Sequence, residues 1–335
     1  MARHGQNPMR WVKENNSHSD ISISTVTHIP FLDGYYEESL DILKLCLESL
    51  LKNTKLSFDL YVFDNGSCKE VIDYLKDLYD KNHINYLILS NDNIGKVGAW
   101  NNLFGVAQGK YICYMDSDVY FTNGWLEETL EIFKSFPNAG MVTAQPARRH
   151  LPKYCNSTID GARKDVNIEI KEGDLLPKAY LNACAYGLGR TPDEYYKLIE
   201  GENDILLTSG GKKAFVSADH FQFVIKKDLI KSLLPLENTV PLGPEAVYQL
   251  DDQVDRKNAW RLSTTKYLVH HIGNKLPRGE EEKSIISNYF NMNETLNNKL
   301  SKKKSGVKSR ILRLLLKKIN TWSYNLLYKK KDIDY

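Results

Sequence analysis

A chain of 335 residues, 42% hydrophobic and 26% charged, has the composition of an ordinary globular protein and the length for two domains or one α/β unit with a long insertion. Its formal charge of +3 hides an uneven distribution: residues 302–331 carry 11 Lys and Arg and no acid, whereas the remainder holds 34 basic against 42 acidic residues, a net of −8. Five cysteines without a C-x-x-C pair argue against a disulfide framework or zinc cluster, no run of about 18 apolar residues suggests a membrane span, and no basic patch with interleaved aromatics outside the tail suggests nucleic acid.

Residues 1–19 read as a flexible N-terminal arm, and residues 1–20 lack the apolar core of a signal peptide, so a cytoplasmic location is expected. A strand at 21–26 leads through His28, Ile29 and Pro30 into a helix on which Leu40, Leu43, Leu47, Leu50 and Leu51 recur at spacings of three and four. A second strand at 58–63 ends in Asp64-Asn65-Gly66-Ser67, a sequence that also suits a simple turn. After a helix with Val71, Ile72, Leu75 and Leu78 and a strand at 86–89, a glycine-punctuated loop from Asn91 through Gly95, Lys96 and Gly98 opens a helix reaching Asn101 and Phe104. Gly95 and Gly98 fit neither the P-loop nor the dinucleotide fingerprint.

The stretch from 110 to 121 organises the chain. Apolar, β-prone residues run straight into Asp116-Ser117-Asp118, so a buried strand delivers two carboxylates to its carboxyl edge, where open α/β sheets bind ligands. Carboxylates at i and i+2 can share one hard divalent cation, which a departing diphosphate needs. Asp-x-Asp is a common pattern, and a second copy stands at Asp332 and Asp334. Further elements follow at 126–133 and 140–144, and alternation of strands with helices implies a mainly parallel sheet covered on both faces. Residues 148–213 lose periodicity and read as an irregular insertion with one short helix near 193–199. Strands return at 214–225 and 266–270, with prolines marking a loop before Leu250-Asp251-Asp252.

Taken together, Asp64 to Ser67, the loop from Asn91 to Asn101, and Asp116 to Asp118 make the chain resemble a family 2 glycosyltransferase with a GT-A (Rossmann-like) fold. The resemblance covers residues 21–274 and is strongest over 59–125 and 250–274. It implies a nucleotide-sugar-binding part at 20–147 and an acceptor-side part of the same catalytic domain at 148–280. It also implies that Asp64 contacts the donor base, that Asn91, Gly95, Lys96, Asn101, Asp116 and Ser117 lie by the donor, and that Asp116, Asp118 and His271 hold Mn²⁺ or Mg²⁺. UDP-sugars are the favoured donors. Inverting transfer needs a carboxylate to take the acceptor's proton; the family supplies it from an acidic pair at the start of a helix, matched in chain position by Asp251 and Asp252. The family's Glu-Asp is Asp-Asp here, which leaves both candidates open, with Asp252 favoured. His270 competes with His271 as the further metal ligand, and Asp219-His220 is a weaker candidate for the acceptor pocket.

Residues 281–335 read as a helical basic tail. Over 307–328, Ile311, Leu312, Leu315, Ile319, Trp322 and Leu326 share one face against lysines and arginines, the pattern of a helix that lies on an anionic membrane or packs on the domain. The expected activity is metal-dependent inverting transfer of a sugar to an acceptor hydroxyl of a glycan or lipid-linked precursor, with no nucleic-acid partner. A sugar nucleotidylyltransferase would need a Gly-rich basic loop after the first strand, where this chain has His28 to Leu32. A silent, membrane-associated binding protein of the same fold is the alternative outside enzymes.

Overall fold

The computed structural model describes residues 18–148, 154–237 and 244–276, together with Gly5 and Leu300. Apart from Gly5, His18, Ser19 and Leu300, the expected arm and the basic tail therefore lie outside the described residues, as do the Asp332 and Asp334 pattern and part of the proline loop.

The first half alternates as its sequence demands. Strands β1 (Ile21–Thr27), β2 (Asp59–Asn65), β3 (Tyr86–Ser90) and β4 (Tyr111–Asp116) are joined through helices α1 (Ser39–Asn53), α2 (Lys69–Asp80) and α3 (Gly95–Val106). They lie in the order β3-β2-β1-β4, and every neighbouring pair is parallel. The order reverses between β1 and β4, the switch point at which doubly wound sheets open a ligand crevice.

The buried strands split their side chains with period two. Leu60 and Val62 of β2 and Cys113 and Met115 of β4 pack on one face with Leu43, Leu47 and Leu50 of α1 and Val71 and Leu75 of α2. Tyr61, Phe63, Ile112 and Tyr114 pack on the other with Trp100, Leu103 and Phe104 of α3. Helices thus cover both faces, as expected for these near-continuous apolar strands. Trp100 is fully buried there, and its truncation to Ala would cost about 3–5 kcal/mol.

After a short strand β5 (Val119–Phe121) and helix α4 (Trp125–Ser135), β6 (Ala139–Thr143) enters the sheet. Five more strands follow: β7 (Ile168–Gly173), β8 (Asp204–Ser209), β9 (Lys212–Val216), β10 (Gln222–Lys226) and β11 (Trp260–Ser263). The whole sheet has ten strands in the order β3-β2-β1-β4-β10-β6-β11-β9-β8-β7, so both expected parts share it. β10 runs antiparallel between β4 and β6, and the β9-β8-β7 edge is an antiparallel meander.

The insertion is more regular than its sequence suggests. Besides β7 and β8 it contains helices α5 (Asn156–Lys164), α6 (Lys178–Gly187) and α7 (Pro192–Leu198). The last was expected near 193–199, and its start has a local cause: Thr191 and Glu194 form a capping box with Pro192 at the first turn. β7 alternates half-buried isoleucines with exposed charges, a pattern that two consecutive motifs are too short to announce, and it is fixed by pairing with β8. Leu175, Leu176, Tyr180, Leu181 and Tyr195 give this region a small core of its own against Phe215 and Tyr267. Helices α8 (Lys227–Leu233) and α9 (Pro244–Arg256) complete the described helices. The five cysteines are all free, and no helix among the described residues is long and apolar enough to cross a membrane.

Candidate active site

Register across the sheet brings the acidic strand ends into one row. Thr27 of β1 pairs with Asp64 of β2, while Val26 of β1 pairs with Asp116 of β4, so both carboxylates stand at the carboxyl edge on either side of β1. Beyond Asp116 the chain turns through Ser117 and Asp118 into β5. There it meets a twelfth strand, β12 (Val269–His271), in a separate two-stranded sheet where His271 pairs with Val119. The Ile272 amide donates to the Asp118 carbonyl at 2.8 Å, locking this crossing.

The result is a cluster of three. One ligand atom from each of Asp116, Asp118 and His271 lies within 4.8 Å of the others. His271 Nε2 stands 3.2 Å from Asp118 Oδ2, and its Nδ1 bonds the Gly187 carbonyl, which fixes the ring. Burial pulls the His271 pKa down, but the Asp118 charge and hydrogen bond, helped by Asp116 and the Gly187 carbonyl, raise it from 6.5 to about 9. Burial would raise the Asp118 carboxyl, yet His271 and Lys96 hold it below its ordinary value. Adjacent His270 points elsewhere, to the Tyr267 hydroxyl at 3.0 Å, and burial together with the neighbouring His271 lowers its pKa to about 3. Alternation along β12 thus separates the two histidines.

The residues fit a divalent ion. Asp118 Oδ1 is buried with no hydrogen-bond partner, the condition that a cation would relieve. Two carboxylates and one imidazole suit a manganese-like ion better than magnesium, which prefers oxygen.

Lys96 is tied to this cluster. Its Nζ lies 2.6 Å from Asp116 Oδ1, the same oxygen that accepts the Tyr114 hydroxyl at 2.6 Å. The ammonium also sits 5.4 Å from the Trp100 ring centroid and 5.2 Å from that of Tyr114, so packed aromatics hold it at the cluster.

Asp64 is buried; one carboxylate oxygen accepts the Ser67 amide at 3.2 Å and the other has no partner. Its neighbour Asn65, which the sequence offered only as part of a turn, organises the loop beside it. The Asn65 side chain accepts from the Ile94 amide at 2.9 Å and donates to Asn93 Oδ1 at 2.8 Å, while that Asn93 oxygen accepts the Gly95 amide at 2.9 Å. Gly66 and Gly95 adopt φ of 81° and 77°, and a Cβ on Gly66 would stand 3.2 Å from the Asn93 nitrogen, so this crossing requires glycine. Asn91 is exposed at the loop's start, and Ser117 is half-buried between the two aspartates. Asn101 lies apart from the cluster, exchanging two hydrogen bonds with the Leu236 backbone at 2.9 and 2.8 Å.

The acidic pair occupies the middle of α9 rather than a helix start. Asp251 is buried, with His220 Nε2 and Arg261 Nη2 each 2.7 Å from its Oδ2. Asp252 has a side chain 40% exposed and pairs with Arg256 one turn on, at 2.9 Å. Residues 219–221 connect this pair to the cluster of Asp116, Asp118 and His271: the Phe221 carbonyl accepts the Asp116 amide at 2.7 Å, and its ring packs on His271 with centroids 5.4 Å apart. Arg261 escaped the sequence reading, because an arginine in an apolar strand carries no local sign of its partner.

Residues 35–166 match the family described as Glycosyl transferase family 2. The chain is 26% identical over 220 residues to the Escherichia coli UDP-Glc:alpha-D-GlcNAc-diphosphoundecaprenol beta-1,3-glucosyltransferase WfaP, covering 58% of this chain and 82% of that protein. An uncharacterized glycosyltransferase of Haemophilus influenzae is 32% identical over 82 residues, 24% of this chain and 33% of that one. Among solved structures, GalNAc-T7 with UDP, GalNAc and Mn²⁺ superposes with a TM-score of 0.46 at 15% identity, over 75% of this chain and 42% of that one. Residues 1–349 of S. aureus TarS superpose with a TM-score of 0.42 at 13% identity, over 75% and 59%.

Proposed function

Because this chain is a glycosyltransferase of family 2, we propose that it moves a sugar from a UDP-sugar to an acceptor hydroxyl with inversion, using a divalent ion held by Asp116, Asp118 and His271. The observation that carries this reading is the convergence of those three side chains at the switch-point edge, with Asp118 Oδ1 buried and unsatisfied. A bound ion there would neutralise the diphosphate as it becomes the leaving group.

The chain's own residues supply the rest. Asp64, with one buried unpartnered oxygen, accepts from the donor base, and the loop from Asn91 to Lys96 lies against the donor beside it. Lys96 contributes a fixed positive charge. Of the adjacent pair Asp251 and Asp252 in α9, the first is enclosed, so Asp252 takes the proton, leaving Arg256 to do so. The acceptor oxygen bonds the anomeric carbon, its proton passes to Asp252, and the bond from that carbon to the diphosphate breaks.

The E. coli relative's name, with its diphosphoundecaprenol substrate, supports a lipid-linked glycan acceptor. The basic amphipathic sequence of residues 307–328 supports attachment to the cytoplasmic face of an anionic membrane. Deleting residues 302–335 should abolish sedimentation with anionic liposomes while sparing donor hydrolysis; unchanged sedimentation refutes the attachment.

The enzyme reading is tested by thermal shift and hydrolysis with a panel of UDP- and GDP-sugars, with and without Mn²⁺. Mn²⁺-dependent stabilisation and turnover by UDP-sugars are expected, both lost in Asp118→Ala. Equal behaviour of the variant and the parent chain would sink the metal site.

A further inference from the structure

The last turn of a helix leaves carbonyls with no partner inside the helix, and those of α6 are satisfied in two different ways. The Ala185 carbonyl accepts the Leu188 and Arg190 amides, each at 3.0 Å, as the chain turns back through Gly189 at φ 63°. The Gly187 carbonyl instead accepts from His271 Nδ1, 84 residues further along the chain. A carbonyl oxygen accepts and never donates, so this bond requires a proton on Nδ1. Nε2, which stands 3.2 Å from Asp118 Oδ2, is then the ring nitrogen left to face a cation.

The close approach depends on glycine. A Cβ on Gly187 would stand 3.3 Å from the His271 Cβ and 3.4 Å from its carbonyl oxygen, tighter than ordinary van der Waals contact. Gly187 is not in the left-handed region, so what it supplies is space. Gly189, two residues on, is the opposite case: its φ is positive, but a Cβ there would meet nothing within 4 Å.

Helix α6 holds the β12 segment at a second point. The Tyr180 ring meets that of Tyr267, two residues before β12, edge to face with centroids 4.8 Å apart, and the Tyr180 hydroxyl donates to the Pro146 carbonyl at 3.2 Å. Tyr180, Leu181 and Ala185 belong to the small core of the insertion together with Tyr195 and Leu206. The insertion's own core thus fixes α6, and the end of α6 fixes the His271 ring.

We propose that Gly187 is the positioning residue of the metal ligand. Its carbonyl sets the tautomer and aim of His271, and its missing side chain lets α6 come close enough to do so. The insertion thereby governs how tightly the cluster of Asp116, Asp118 and His271 holds a divalent ion, although it supplies no ligand itself. This rests on the metal reading above and adds to it a dependence on α6.

The two glycines separate positioning from a purely structural role. With MnCl₂ titrated calorimetrically into the donor-free chain, Gly187→Ala should weaken binding on the order of 10- to 100-fold, the range for outer partners of a ligating histidine. Gly189→Ala, which strains the same helix end without crowding His271, should lower the urea midpoint yet bind Mn²⁺ within about twofold of the parent chain. Binding by Gly187→Ala within twofold of the parent overturns the proposal, as does an equal loss in Gly189→Ala. Long-range ¹⁵N–¹H NMR of the metal-free parent gives a second readout that needs no variant to fold. A proton on His271 Nδ1 is expected, and a bare Nδ1 overturns the assignment. A parent that binds no Mn²⁺ sinks the metal reading and the proposal together, a result distinct from a parent that binds and a Gly187→Ala variant that binds equally well.

Discussion

Lys96 Nζ and Asp116 Oδ1 are 2.6 Å apart, so the acidic cluster carries a cation of its own. An incoming divalent ion must share Asp116 with this ammonium. Lys96→Met should therefore tighten Mn²⁺ binding without donor by roughly three- to tenfold, about the 1 kcal/mol scale of a partly exposed ion pair. Isothermal titration with MnCl₂ measures this, and weaker binding in the variant would contradict the competition. Donor affinity should fall in the same variant, since the diphosphate loses a positive partner.

The two adjacent histidines should separate cleanly. His271 faces Asp118 and His270 faces Tyr267. His271→Ala should weaken Mn²⁺ affinity by on the order of 100-fold, because a direct ligand matters at least as much as the outer partners that cost 10- to 100-fold. His270→Gln should leave it within about twofold. Titration of both variants checks the pair, and the reverse pattern would assign the ligand to His270.

Asn65 ties the end of β2 to the turn before α3 through Asn93 and the Ile94 amide. In Asn65→Ala that amide loses its acceptor, a loss of about 1–3 kcal/mol. Urea unfolding should show it, and thermal shift with UDP should show a weaker donor response, because the Lys96 loop is no longer fixed. A fully stable variant would mean that the loop is held by other contacts.

Glu128 bridges Lys212 at 2.7 Å and Lys266 at 3.0 Å, joining α4 to the second half of the sheet. Burial would raise its carboxyl, but the two lysines hold it below 4.5. A carboxyl depressed on folding stabilises above its unfolded value, and that stability is lost as pH falls through the folded one. Glu128→Gln should therefore cost roughly 0.5–1 kcal/mol at about pH 7 and little at about pH 3. Urea midpoints at both pH values test the sign; a gap that widened on acidification would reverse it.

The sequence by itself determined the strands that end in Asp64 and Asp116, because apolar runs with period two and turn residues are local signals that need no partner. It also determined the helices that cover them and the start of α7, where a capping box stands in four consecutive residues. The resemblance carried the acidic cluster as far as His271 but left His270 beside it. Only the tertiary structure sets the two rings apart, since pairing of β12 with β5 joins positions about 150 residues apart and strand alternation then sends one ring to Asp118 and the other to Tyr267. The same holds for Asp251 and Asp252. Their order in the chain is symmetrical, but α9 turns the first into the core against Arg261 and His220 and leaves the second half-exposed beside Arg256. Burial and ion pairing depend on what packs opposite a residue, and for Asp251 and His220 that neighbour is about 30 residues away in the chain. Of the antiparallel edge, β9 falls partly within the strand region expected from 214, whereas β7 was hidden for a related reason: its half-buried isoleucines alternate too briefly to be read until it pairs with β8.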